Sequence, residues 1–134
     1  MTSITTSLPA RLAVRVAISA TLAVSGLIHA YLYVHGYNHI PTIGPAFLLQ
    51  ASGFCALAVL ILVGGPDWLS WAGALLSVGT LIAFALSRTV GLFGFSETGW
   101  NPAPQAAISA ISEVLTIALV TTSLLASRGK RPRW

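Results

Sequence analysis

The amino-acid sequence predicts an all-α transmembrane four-helix bundle, up-down-up-down, with both termini in the cytoplasm. Three observations carry that expectation. Of 134 residues, 55% are hydrophobic and only 7% are charged, whereas a soluble domain carries about a quarter charged residues. The apolar residues fall into four runs, each near the roughly 20 residues that a bilayer crossing needs. The basic residues flank the set: Arg11 and Arg15 precede the first run, and Arg128, Lys130, Arg131 and Arg133 follow the last. Positive charge at both ends of an even number of spans is the positive-inside pattern.

The first span is expected over about 14–36, after a cytoplasmic segment 1–13. Gly36, Asn38 and Pro41 break it, because a residue before proline is pushed out of helical geometry. A cleaved signal peptide is a poorer reading of this run, which reaches Val34 without a small-residue cleavage site. The second span is expected over 45–64, with Pro45 suited to a first helical turn. "VGGPDW" then forms a tight hairpin, in which Asp67 is a suitable N-cap for a third span over 68–93. The outer loop "GFSETGWNPAP" leads to a fourth span over 104–127, and 128–134 form a basic tail. Pairs of small residues four apart, Gly73/Ser77, Gly79/Ala83 and Ala106/Ala110, would permit close helix approach. Trp68 and Trp71 are placed at the cytoplasmic interface, and Tyr33, Tyr37 and Trp100 in the outer aromatic belt.

Net charge is +4 and mean hydropathy +0.83. No folded basic face or aromatic platform accompanies the tail, which speaks against nucleic acid as a partner. Anionic lipid headgroups suit it instead, at about 1 kcal/mol per basic residue near the surface. Cys55 is the sole cysteine, so an intrachain disulfide or CxxC redox pair is excluded, and its apolar setting predicts an inert buried thiol.

Against this background the remaining polar residues are informative. With a rise of about 1.5 Å per residue, His29 lies roughly 6 Å outward of its span's midpoint, Gln50 roughly 7 Å, Arg88 roughly 10 Å and Glu113 roughly 4 Å. Each helix thus brings one strongly polar group to the outer leaflet. Charges near the bilayer centre cost about 2.5–3.5 kcal/mol each, which predicts that Arg88 and Glu113 pair, with His29 and Gln50 completing the network. Glu97 competes for Arg88, and Ser109 and Ser112 lie near Glu113 on its own helix. Tyr33, Tyr37, Glu97 and Trp100 are candidates for the rim of such a site.

Two readings of the layer compete: helix-packing specificity, and a site for a small ligand, lipid or quinone, or for a proton or ion. Catalysis comes third, since no nucleophile–base arrangement or phosphate-binding loop is visible. His29, Tyr33 and Tyr37 recur at spacing four, as do Tyr31, His35 and His39. His35 and His39 could chelate a metal only if the helix continued past Gly36. A bis-histidine haem on His29 would need a histidine from another chain. Copies of itself or a larger membrane complex are the partners expected beside the lipid bilayer.

Around "HAYLYVHGYNHIPTIGPAFLLQ" and "SRTVGLFGFSETGWNPAPQAAISAISE" the chain resembles small four-helix integral membrane proteins of high-GC actinobacteria. The similarity covers most of residues 25–115 and takes in His29, Gln50, Arg88 and Glu113. It implies no established activity; the location expected for the four-span chain is the plasma membrane. Small multidrug exporters fit less well, because they carry their essential acid on a first helix that has none here. Quinone-reducing disulfide-formation proteins need cysteine pairs, and fluoride channels have weakly biased ends.

Overall fold

The computed structural model describes residues 8–129. Four helices account for most of them: α1 (Leu8–Val34), α2 (Ile43–Leu62), α3 (Trp68–Arg88) and α4 (Gln105–Arg128). All four are long and apolar enough to cross a membrane. The basic tail falls largely outside the described residues.

The helices close into a ring in which α1 packs on α2 and α4, and α3 on α4 and α2. Contacts between neighbours run in opposite sequence directions. Ser19 meets Ala58 while Gly26 meets Phe54 and Cys55; Thr21 meets Thr116 while Ser25 meets Ser109. The tightest approach is at Gly26, where a Cβ would lie 2.7 Å from Cys55 Sγ and 3.0 Å from Phe54 Cβ. A hydrogen is all that fits between α1 and α2 there. Gly73 plays the same part for Leu22, whose methyls would be 3.0 and 3.2 Å from an added Cβ. The Gly79/Ala83 pair does not, since nothing lies within 4 Å of a Cβ at Gly79. Cys55 is half-buried rather than sealed in the core.

Polarity is distributed opposite to that of a soluble protein. Leu27, Leu49, Leu75 and Ile111, one on each helix, are 63%, 74%, 68% and 59% exposed. The interior meanwhile holds Ser25, His29, Ser77, Thr80, Glu113 and Thr116. Large apolar groups facing outward on every helix would be untenable in water and are at home in lipid. Four such helices make this a multi-pass membrane protein. An apolar plug of Ile18, Leu22, Phe54, Ala58, Ile61 and Val120 crosses the bundle on the side toward the start of α1. The polar layer lies beyond it, toward the α3–α4 loop.

Three local expectations are corrected. α1 starts by Leu8 and stops at Val34, two residues before Gly36, and a single 3-10 turn, Tyr37–His39, follows. Tyr37 is therefore off the helical stripe of His29 and Tyr33. α3 ends at Arg88 instead of continuing to Phe93, because Gly91, Phe93 and Gly94 take positive φ and turn the chain back, with Leu92 and Phe95 bonded to each other. Asp67 occupies the N-cap position but makes no side-chain cap bond. Its backbone is already helical (φ −60°, ψ −27°), whereas a capping side chain needs an extended backbone to reach the next amides.

Candidate functional site

Helix periodicity explains why the polar layer converges. Ser25 and His29 are four apart on α1, and Ser109 and Glu113 four apart on α4, so each pair shares a face. α1 and α4 turn those faces toward each other. Ser25 Oγ donates to Glu113 Oε1 at 2.8 Å, and Ser109 Oγ donates to the same oxygen at 2.9 Å. The Ser25 carbonyl accepts from His29 Nδ1 at 2.8 Å. One fully buried serine thus ties the acid to the imidazole. A proton on Nδ1 leaves Nε2 as the lone-pair nitrogen. The ring is further held between Phe47 and Phe54, with centroids 5.0 and 5.8 Å away.

Gln50 is oriented by similar logic. Thr80 Oγ1 spends its single hydrogen on the Leu76 carbonyl at 2.8 Å. It must therefore accept from Gln50, whose Nε2 lies 2.6 Å away, and the amide oxygen Oε1 is left without a partner.

His29, Gln50, Arg88 and Glu113 all line one cavity of about 80 Å³. The four residues singled out from the sequence are brought together, one from each helix. The expected Arg88–Glu113 pair is not formed. Arg88 instead donates through Nε to Gly99 O at 3.1 Å, through Nη2 to Asn101 O, and through Nη1 to Ser87 Oγ at 2.5 Å. Its guanidinium also lies 4.0 Å above the Phe84 ring. The reason is positional: with α3 ending at Arg88, the side chain sits beside the returning α3–α4 loop and meets carbonyls there. Arg88 latches that loop over the cavity, and Leu92, Phe95 and Pro102 form its underside.

Glu97, the expected competitor for Arg88, accepts from Tyr37 Oη at 2.7 Å. This second latch joins the loop to the Tyr37–His39 turn, and Tyr37 stacks on Phe47 with centroids 4.7 Å apart. Burial, and then the hydrogen bond and negative charge of Glu97, push the Tyr37 phenol well above its ordinary range. Tyr33 and Trp100 take no part in the cavity lining; Trp100 packs on Phe84. His35 folds back onto Tyr31, stacking at 4.0 Å and bonding its carbonyl. His35 lies in the turn after α1 and His39 ends the 3-10 turn, so they share no helix, and no three metal-binding side chains come together among the described residues.

Ser112, the other neighbour expected to serve Glu113, bonds Ile108 O of its own helix. Sequence reasoning missed Ser25, Thr80 and Phe47. Ser25 was detectable as the residue four before His29; Thr80 and Phe47 required knowledge of helix facing.

Every buried side-chain nitrogen and oxygen among the described residues has a partner. Glu113 Oε2 and His29 Nε2, which have none, are therefore not sealed and open onto the cavity. No cation pairs with Glu113 among the described residues. A second cavity, of about 510 Å³, lies at the other end of the bundle beside Arg11, Arg15, Asp67 and Trp71. The apolar plug separates the two.

No family model, curated protein or solved structure matches this chain.

Proposed function

We propose that this is a plasma-membrane protein, up-down-up-down with cytoplasmic termini, that binds the polar head of a lipid-like ligand in its outer-leaflet cavity. It works alone or as an accessory subunit of a larger membrane complex. The carrying observation is Glu113: 2% exposed, held through one oxygen by two serines, and presenting its other oxygen to a cavity. A carboxylate is a costly way to tie helices together where serine or threonine would serve. The cavity is small beside the roughly 300–1,000 Å³ that enclose a drug-sized ligand. That volume favours a head group held among Phe47, Phe84 and Phe95, with its tail in lipid, over an enclosed haem. The orientation rests on the basic residues at both ends and on the opposed contact order of neighbouring helices.

A second reading, a proton or ion pathway through Glu113, is favoured by the second cavity beyond the plug. The two are separated by isolating the protein gently and identifying copurifying lipids, quinones and chains by mass spectrometry, then repeating with Glu113→Gln. The binding reading expects a defined small amphiphile on the wild type that the folded Gln variant has lost. An empty wild type with gradient-driven uptake in liposomes supports the pathway instead.

A further inference from the structure

Counting hydrogens around the cavity narrows the ligand's chemistry, on the premise that the cavity binds a polar head. Ser25 and Ser109 each spend their one hydroxyl hydrogen on Glu113 Oε1. Thr80 spends its hydrogen on Leu76 O, and Ser87 on Phe84 O. His29 spends Nδ1–H on Ser25 O, and Gln50 one amide hydrogen on Thr80. What remains for a ligand is mainly acceptors: Glu113 Oε2, His29 Nε2 and Gln50 Oε1. Gln50's second amide hydrogen is the one inner donor left over, and at the rim Arg88 keeps two of its five N–H after those given to Gly99 O, Ser87 Oγ and Asn101 O.

Charge points the same way. Arg88 stands at the rim with its fork directed at Gly99 O, Asn101 O and Ser87, and Glu97 lies on the same rim, bonded to Tyr37. Those two charges offset each other. Among the described residues no cation is bonded to Glu113, and a buried carboxylate must take up either a proton or a cation.

We infer that the cavity selects a primary ammonium head group, whose three N–H donors and single positive charge answer three acceptors and one carboxylate. A phosphate or carboxylate head would meet acceptors and a like charge. A quaternary ammonium brings no N–H and more bulk. Phe47, Phe84 and Phe95 on the same walls suit the methylenes next to the nitrogen.

The test uses the full chain in uncharged maltoside micelles at neutral pH, with octylamine, octanol and octanoate as probes of equal chain length. The chain has three acidic residues, two of them glutamates, so carboxyl-¹³C glutamate labelling yields two resonances, assigned with Glu97→Gln. Octylamine is expected to raise the melting temperature and move the Glu113 resonance saturably, with octanol weaker and octanoate ineffective. Glu113→Gln should weaken octylamine binding about ten- to a hundredfold, the loss expected of a charge-assisted hydrogen bond. Octanoate or octanol binding as tightly as octylamine overturns the ammonium assignment and leaves head-group binding standing. If none of the three binds, both readings fall. Should the Gln variant not fold, the wild-type spectrum decides: a Glu113 resonance unmoved while octylamine shifts only Glu97 overturns the inference.

Discussion

Replacing Gly26 with alanine tests whether the α1–α2 contact positions the site. The new methyl would stand 2.7 Å from Cys55 Sγ, 3.0 Å from Phe54 Cβ and 3.1 Å from the Cys55 amide nitrogen. Ordinary contact is about 3.5–4.0 Å, so α1 and α2 must part by roughly 1 Å. Overpacking of this kind costs about 1–3 kcal/mol, while replacing a helical glycine returns up to about 1 kcal/mol of propensity. The net expectation is a loss of about 1–2 kcal/mol. Cys55→Ala should recover only part of it, because two of the three close atoms belong to Phe54 and the backbone. Gly79→Ala is the matched control: with nothing within 4 Å, it keeps the propensity gain and should stabilise. Reversible unfolding in mixed micelles, followed by tryptophan fluorescence, measures all three variants. Ser25 is the neighbour of Gly26, so the shift should also loosen Ser25 from Glu113 and weaken ligand binding in Gly26→Ala but not in Gly79→Ala. If Gly26→Ala stabilises as much as Gly79→Ala, the close-approach argument is refuted.

Arg88→Ala and Glu113→Ala should each destabilise, and because their hydrogen-bond partners are disjoint the coupling between them should be no more than the roughly 0.5 kcal/mol at the low end for residues that share a cavity; a coupling of about 2–3 kcal/mol in a double-mutant cycle would mean that the two side chains pair after all. Tyr37 should keep its proton at pH values where unfolded tyrosines, with a pKa of about 10, have lost theirs. Its raised pKa means that the folded state binds the extra proton, so the stability it contributes is present below about pH 10 and lost as pH rises further. The difference in tyrosinate absorbance between wild type and Tyr37→Phe should rise only at higher pH, and an ordinary titration would contradict the latch to Glu97. Reporter fusions after Trp134 and near Gly99 should report cytoplasm and exterior respectively; both on one side would overturn the proposed orientation.

The four helices were legible in the sequence because their determinants are local. A run of about 20 apolar residues, broken at Asn38–Pro41 and at Gly64–Pro66, declares a span without reference to any other part of the chain. That His29, Gln50, Arg88 and Glu113 belong to one layer was also readable, since depth follows from counting residues along each helix. What those residues touch was not. Depth is one coordinate, whereas pairing also depends on how far each helix is rotated about its axis and where it ends. Gly91 and Gly94 end α3 at Arg88, which delivers the guanidinium to the carbonyls of the returning loop rather than to Glu113. The close approach at Gly26 brings α1 against α2 while the adjacent Ser25 faces α4, so the acid is served by two serines instead of an arginine. Sequence composition determined that this chain has four membrane-type helices with costly polar groups in one layer. Only the rotation and termination of those helices, set by packing among residues distant in the chain, decided that Glu113 keeps one oxygen open to the cavity while Arg88, on the same cavity, bonds the loop carbonyls instead.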